Sequence, residues 1–418
     1  MMDKKEIQIE IINTRTENAK TYDLGKGKFR QEICIGAVHY KDDYKDAKEQ
    51  FKDIDLTWKD NKITKAPYTL ERIGNKIIVL DKKTGQTGTI EITDIGDTTL
   101  SAASFDSVKT TEIVKDVDVE IIPAPDSIRF QTVIKDPTAL AELKYKVSGD
   151  IPIKYSAVDA DGDSVPLITS LEKGILTESV DAESVDAKSF TSLDEKKTAI
   201  KYPIKIDPTL TIQGSGADTT ISNYAATTNY GSETYLKVDA WHASIWNSLI
   251  KMSLSSLPAG AELASATLSL YYYAADGNDP VGKTLTAYKV RRADWVEAQA
   301  TWNIYKTSNG WGTAGCVNTT TDIDTSLTAT TTFPTGASRP AWMNLNVADI
   351  VADAVTNSLD FNIRLSMTAG YCWPFFYSKE YATDTSLRPK LVIEYASAAS
   401  FIPGIMRHNF IPSFTGGK

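Results

Sequence analysis

A pattern of period two constrains the fold of this chain more than any other feature. Apolar residues alternate with polar ones, or run together with β-branched residues and tyrosines, in many short segments. Side chains of a β-strand point to alternate faces of a sheet, so this period predicts strands. The clearest predicted strands are residues 5–12, 76–80, 89–92, 117–122, 151–155, 264–273 and 390–395. Glycine, asparagine and aspartate turn signals recur between them, which is typical of an all-β protein.

Helical patterns are rare. Residues 346–356, NVADIVADAVT, place Val347, Ile350, Val351 and Val355 on one helical face and predict a short helix. Residues 136–143 give a weaker helical pattern of one or two turns. Alternating strand and helix units are absent, which argues against a parallel nucleotide-binding sheet. We therefore predict an all-β fold made of tandem β-sandwich domains.

The length and the composition of the chain predict several domains. With 418 residues the chain has room for two to four cores. We predict a β-rich N-terminal domain at residues 1–95 and a second β-sandwich at 96–208. A third β domain at 209–396 follows the segment YPIKIDPTL, and residues 397–418 form an apolar, irregular tail or docking arm.

Charge and composition exclude some classes of function. The net charge is −9 and the sequence pI is about 5.1, which argues against nucleic-acid binding, because that needs a basic face. No stretch reaches the roughly 18 apolar residues of a membrane helix, so we expect no membrane partner. The N-terminus lacks an apolar signal-peptide core. The cysteines are too few for a disulfide framework, and buried small residues are favoured over a pair between Cys316 and Cys372.

Five segments of the third domain follow one another in a definite order. They are ADTTISNYAATTNYGSETYLKV, NSLIKMSLSSLPAGAELASATLSLYYY, ADWVEAQATWN, WMNLNVADIVADAV and FFYSKEYATDTSLRPKLVIEY. Together they resemble the disaggregatase-related repeat, or DNRLRE, family, whose members are jelly rolls similar to carbohydrate-binding modules. The family usually has Phe-Asp where this chain has Met252-Ser253. The resemblance covers nearly all of residues 209–396 and implies a terminal β-jelly roll.

Three tryptophans in this region are candidates for carbohydrate contact. Trp295, Trp302 and Trp311 are large apolar anchors, and core packing is the favoured interpretation. The alternative is a stacking platform, because an exposed indole suits the C–H face of a pyranose. We interpret Asn229-Tyr230-Gly231 as a turn in which the glycine supplies a positive φ.

Calcium is the one cofactor that the sequence suggests. Asp159, Asp161 and Asp163 stand at alternate positions, as in the start of a calcium loop, but the spacing does not continue as an EF-hand. An acidic turn is the favoured interpretation. The resemblance implies loop carboxylates as calcium ligands, and Asp218 and Asp239 are candidates for that role, with turn capping as the alternative.

The sequence contains no recognisable catalytic motif. The three histidines lie in different regions, no zinc-ligand spacing occurs, and neither a Walker motif nor a nucleophile elbow is present. Acidic residues are too numerous to identify a glycosidase pair from sequence. We therefore predict a protein that binds and is displayed, and that is not an enzyme.

Three hypotheses for the setting follow from the resemblance and from the missing signal peptide. The preferred one is a virion structural protein, such as a capsid decoration, head fibre or tail component, made in the host cytosol. Its partners would be other virion or capsid subunits, further copies of itself, and a polysaccharide or cell-surface glycan. The alternatives are a cell-surface, extracellular polysaccharide-binding adhesin and, less favoured, a polysaccharide-degrading enzyme with a binding module.

Overall fold

The structure is a computed structural model. It describes residues 8–93, 108–136, 142–155, 157–158, 165, 167–180, 202–212, 216–241, 244–333, 340–368 and 370–396. Within these residues the chain is almost entirely β-structure, which confirms the predicted fold class.

The strands of the first part of the chain are short. They are β1 (Ile9–Glu10), β2 (Ala19–Gly25), β3 (Lys28–Cys34), β4 (His39–Tyr40), β5 (Lys52–Asp53), β6 (Lys62–Ile63), β7 (Tyr68–Ile73), β8 (Lys76–Asp81) and β9 (Thr87–Ile92). The middle part contributes β10 (Val108–Val114), β11 (Val117–Ala124), β12 (Ser127–Ile134), β13 (Glu142–Gly149), β14 (Ile153–Lys154), β15 (Ala157–Val158), β16 (Leu167–Glu172), β17 (Ile175–Val180), β18 (Ile204–Ile206) and β19 (Thr209–Thr211).

The last part of the chain contains the longest strands. They are β20 (Gly216–Ser222), β21 (Tyr235–Lys237), β22 (Asp239–Trp241), β23 (Ser244–Met252), β24 (Glu262–Gly277), β25 (Thr284–Val290), β26 (Ile304–Lys306), β27 (Asn309–Gly310), β28 (Ile323–Thr332), β29 (Ala341–Asn346), β30 (Phe361–Met367), β31 (Cys372–Tyr377) and β32 (Lys390–Ala396). The helix α1 is Ala348–Thr356, and short 3-10 turns occupy Ile12–Thr14 and Thr385–Leu387.

The C-terminal sandwich packs an eight-stranded sheet against a six-stranded sheet. The eight-stranded sheet has the order β1-β2-β3-β32-β24-β31-β21, with β29 also paired to β24. The six-stranded sheet has the order β20-β23-β30-β25-β28, with β22 paired to β23. All pairs in both sheets are antiparallel, and their inner faces share one apolar core that includes Leu268, Leu285, Ile363 and Phe376.

The middle sandwich consists of two seven-stranded sheets. One has the order β16-β17-β13-β9-β8-β7-β6, and the other has β10-β11-β12-β18-β15 with β14 and β19 attached. Residues from both sheets, among them Tyr68, Val119, Phe130 and Tyr145, bury their side chains completely in a common core. Strands with one inward apolar face explain the alternation seen in the sequence.

Sheet pairing crosses the boundary predicted at residue 95. Strand β3 pairs with β32 over Lys28–Cys34 and Lys390–Ala396, so β1–β3 extend the C-terminal sandwich. Strand β9 pairs with β13, so β6–β9 complete the middle sandwich. Alternation identifies a strand, but it does not say which distant strand becomes its neighbour, because that choice depends on long-range packing.

Local predictions agree with the structure to different degrees. The predicted helix is confirmed as α1, with Ile350, Val351 and Ala354 buried. The weaker helical prediction is wrong at Glu142 and Leu143, which begin β13, and residues 137–141 lie outside the described part. Residues 397–418 and their predicted docking role also lie outside it.

Two further observations concern the cysteines and the helices. Cys34, Cys316 and Cys372 are free thiols, and the last two are buried, as favoured from the sequence. In the part of the chain that the structure describes, no helix has the length and apolarity needed to cross a bilayer.

Candidate functional site

A continuous set of aromatic side chains covers the outer face of the eight-stranded sheet. On β24 and β31 alternate residues point inward, so Leu270, Tyr272 and Phe376 enter the core. Their strand neighbours point outward and are half-buried. We call the outward set the aromatic ladder; its members are Tyr235, Tyr271, Tyr273, Trp342, Phe375 and Tyr377.

The rings of the aromatic ladder contact one another in sequence across four strands. Trp342 meets Tyr271 edge to face, with centroids 5.1 Å apart. Tyr377 stacks in parallel on Tyr271 at 5.8 Å and on Tyr273 at 4.2 Å. Phe375 continues the series, 6.3 Å from Tyr273 and 5.1 Å from Tyr235. Such contacts hold the side chains in fixed orientations and give a rigid apolar surface.

Polar groups border the aromatic ladder. Tyr381 stacks on Tyr377 with centroids 3.6 Å apart. Burial, followed by a hydrogen bond with Tyr381, raises the pKa of Tyr377, so its phenol stays protonated at neutral pH. The ammonium of Lys390 lies 4.3 Å from the Trp342 centroid, and that of Lys237 lies 5.4 Å from the centroid of Phe375. The surface therefore combines aromatic side chains with hydrogen-bonding and cationic groups at its margins.

The three predicted tryptophans lie elsewhere. Trp295 is 1% exposed and donates its indole N–H to Asn362 Oδ1 at 2.8 Å. Trp311 is 6% exposed and donates to the Thr301 carbonyl at 2.9 Å. Trp295 and Trp311 belong to one small apolar cluster, and the half-buried Trp302 packs against it. Gly315 lies against the Trp302 ring. The stacking hypothesis for Trp295 and Trp311 is corrected, since neither presents an open face.

The Asn229-Tyr230-Gly231 turn is hydrogen-bonded to the loop at residues 297–300. Its Asn229 amide donates to the carbonyls of Glu297 and Ala300, both at 2.7 Å. Gly231 does not have the positive φ predicted from sequence. A Cβ at this position would lie 2.6 Å from the Glu297 carbonyl oxygen, so the glycine is needed for close approach of two backbones.

A buried acidic pocket lies where the two sandwiches meet. It contains one carboxylate oxygen from each of Asp218, Glu297 and Glu380, all within 4.8 Å of one another. Burial, reinforced by the charges of Glu380 and Glu297, raises the pKa of Asp218. Burial opposes ionisation of Glu380, but Lys154 and Lys379 outweigh that effect and lower its pKa.

The other calcium candidates do not join this pocket. Asp239 is buried on β22 and is not part of the three-carboxylate group. Asp159, Asp161 and Asp163 lie outside the described residues, so their calcium role stays a prediction. Of the five aspartates, only Asp218 is placed among potential hard-cation ligands in the described part of the chain.

The predictions from sequence do not include the aromatic ladder, although its signal is present. The segments LYYYAA and CWPFFYS contain runs of consecutive aromatic residues within strands. Successive side chains of a strand point to opposite faces of the sheet, so part of each aromatic run enters the core and the rest must face outward. Reading the outward half as a surface would have identified Tyr271, Tyr273, Phe375 and Tyr377.

Comparison with known proteins identifies the class of the C-terminal sandwich. Residues 211–395 match the model of carbohydrate-binding module family 96. This region is therefore a carbohydrate-binding-module-like domain, which confirms that part of the resemblance found in the sequence. The narrower DNRLRE assignment stays a prediction. No curated protein matches the chain.

Solved structures add little. The N-terminal domain of an adhesin from Streptococcus gordonii aligns with 5% identity and a TM-score of 0.12, covering 93% of this chain and 74% of the adhesin domain. A family 31 α-xylosidase from Xanthomonas citri aligns with 8% identity and a TM-score of 0.08, covering 89% of this chain and 38% of the enzyme. Neither alignment carries an argument about fold or function.

Proposed function

We propose that the chain is a non-catalytic polysaccharide-binding protein whose aromatic ladder holds the sugar. The observation that carries the proposal is the ordered aromatic surface on a domain that matches a carbohydrate-binding family. A row of half-buried aromatic side chains across the outer face of the sheet suits successive pyranose rings, whose C–H faces are apolar. The bordering phenols and ammonium groups would bond the sugar hydroxyl and acidic groups.

Substitution in the aromatic ladder should weaken binding without unfolding the protein. We expect Tyr271→Ala and Trp342→Ala each to weaken retention by roughly two- to tenfold, since an aromatic contact contributes about 0.5–1.5 kcal/mol. Affinity electrophoresis in gels containing dextran, xylan or polygalacturonate measures the effect for neutral and acidic polymers.

Two controls separate a surface role from a structural one. Tyr224 is 47% exposed outside the aromatic ladder, so Tyr224→Ala should bind as the wild type does. Trp295→Ala should lower stability and leave the retention of folded protein unchanged. Wild-type protein that binds none of the polymers, or ladder variants that bind as well as the wild type, would contradict the proposal.

We propose a virion surface as the setting, with a cell-surface adhesin as the alternative. Both settings display many copies, and multivalent display makes weak sugar contacts effective. Mass spectrometry of purified particles and of cell-wall fractions distinguishes the two settings. In either setting the purified protein should release no reducing sugar from the polymers that it binds, because we propose no catalytic role for it.

A further inference from the structure

One lysine of the middle sandwich enters the acidic pocket of the C-terminal sandwich. Lys154, on β14, places its Nζ 2.8 Å from the Gly231 carbonyl oxygen, 2.9 Å from Glu297 Oε2 and 3.1 Å from Glu380 Oε1. Its side chain is only 11% exposed. The lysine lies outside residues 211–395, and all three of its partners lie within them. The pocket is therefore filled from a neighbouring sandwich.

The partners of this ammonium are ligands that hard divalent cations use. Calcium is held by carboxylate and backbone carbonyl oxygens, which are the groups that surround Lys154 Nζ. Asp218 adds a fourth group: it is 1% exposed, and its Oδ1 has no hydrogen-bond partner in the described part of the chain. Asp218 Oδ2 accepts the backbone N–H of Lys379, at 2.9 Å.

The charges of the pocket are balanced while Lys154 is in place. Lys379 Nζ lies 3.0 Å from Glu297 Oε2 and 3.3 Å from Glu380 Oε1, so two ammonium groups face these two carboxylates. Burial raises the pKa of Asp218, so its carboxyl group adds oxygen atoms but no further negative charge. Removing Lys154 would leave the two glutamates with one ammonium. Buried charge without compensation is costly, so the pocket would then favour an external cation.

We propose that the acidic pocket is a calcium site that the tethered ammonium of Lys154 occupies. Docking of the two sandwiches and binding of calcium therefore compete for the same oxygen atoms. Lys154 acts as an internal cation that joins the sandwiches, and its withdrawal would open a site for the metal.

A second ion pair at the same interface does not use the pocket. Arg388 of the C-terminal sandwich bonds both carboxylate oxygens of Asp126 in the middle sandwich, at 3.0 and 2.9 Å. Both side chains are almost fully buried. This pair can hold the sandwiches together while Lys154 is replaced, so that a variant at position 154 remains testable in the full chain.

The test is a calcium titration of the full chain after treatment with a chelator. Isothermal calorimetry should show binding to Lys154→Met at one site that is at least about tenfold tighter than binding to the wild type, because a competing charge has been removed. The double variant Lys154→Met, Glu297→Gln should lose that gain. Lys115→Met removes a lysine whose side chain is 90% exposed, and it should behave as the wild type does.

Specific outcomes would overturn the proposal. A folded Lys154→Met protein that gains no calcium affinity, or a wild type that binds as tightly as the variant, contradicts the competition. If Lys154→Met does not fold, Lys154→Gln keeps a hydrogen-bond donor and removes the charge, and the same gain in affinity is required of it.

Discussion

At the scale of single residues, a buried carboxylate in the middle sandwich links stability to pH. Glu178 on β17 is fully buried, and neither of its carboxylate oxygens has a hydrogen-bond partner among the described residues. Burial, and then the charge of Asp207, raises the pKa of Glu178 to about 8. The folded protein therefore holds a proton that the unfolded chain releases near pH 4.5.

Stability should fall as the pH rises through this window. Between about pH 4.5 and 8 the folded state binds more protons than the unfolded state, so the free energy of unfolding decreases. Above about pH 8 the cost is complete, on the order of 5 kcal/mol, because each pH unit between 4.5 and about 8 costs about 1.4 kcal/mol. Urea unfolding should show that Glu178→Gln is more stable than the wild type at pH 9 by about that amount, and similar at pH 4.

An exposed glutamate provides the control for this measurement. Glu172 lies on the neighbouring strand β16 and is exposed, so Glu172→Gln should change stability little at either pH. An equal difference between Glu178→Gln and the wild type at both pH values would show that Glu178 is not protonated in the fold.

For single residues, the sequence indicates which residue types matter better than it indicates which way their side chains point. It identifies Trp295, Trp302 and Trp311 as large anchors and favours core packing for them. The resemblance makes Asp218 a candidate calcium ligand, but it does not indicate the neighbouring Glu297 and Glu380, because they are 79 and 162 positions away, counted from residue numbers. Proximity in space of residues so distant in sequence depends on the packing of whole sheets.

At the scale of structural elements, the turn at Asn229-Tyr230-Gly231 shows how a short motif can fix a loop. Gly231→Ala would push a Cβ to 2.6 Å from the Glu297 carbonyl oxygen. Overpacking of this kind costs about 1–3 kcal/mol, so we expect the C-terminal sandwich to lose that amount of stability. Chemical unfolding followed by tryptophan fluorescence measures the loss.

Gly310 provides a matched control for this turn. It also lacks a positive φ, and a Cβ added to it would lie 3.5 Å from its nearest neighbour, the Asn303 carbonyl oxygen. Gly310→Ala should therefore be almost neutral. Similar effects of both substitutions would show that close approach is not the reason for glycine at position 231.

Elements are predicted well wherever the period is clear. The helix α1 and the strands β8, β9, β11, β24 and β32 agree with the alternation or the helical face to within a few residues. The aromatic ladder requires one more step, which is to ask what the outward half of an aromatic strand does. That step uses only the side-chain direction along a strand, and it needs no knowledge of the partner strand.

At the scale of the whole molecule, the N-terminal strands determine how the C-terminal sandwich is completed. Strand β3 covers the edge of β32, and Ala19, Ile33 and Ile35 are fully buried in the shared core. The sequence pattern places these residues in a separate domain, because pairing between strands more than 350 positions apart leaves no local pattern. An open edge strand is also a site of aggregation.

The region that matches the family model should therefore be incomplete by itself. We expect a fragment of residues 209–396 to unfold at lower urea concentration than the same sandwich in the full chain, or to aggregate. It loses the pairing of β32 and the apolar contacts of Ile33 and Ile35.

A peptide of residues 8–40 added in trans should restore stability, because it supplies β1–β3 and the missing core side chains. The same peptide with Ile33→Asp should not restore it, since that change would bury an unpaired charge. The contrary result is a fragment that unfolds at the same urea concentration as the sandwich in the full chain. In that case β1–β3 do not contribute to the stability of the C-terminal sandwich, and the sheet that carries the aromatic ladder is stable without them.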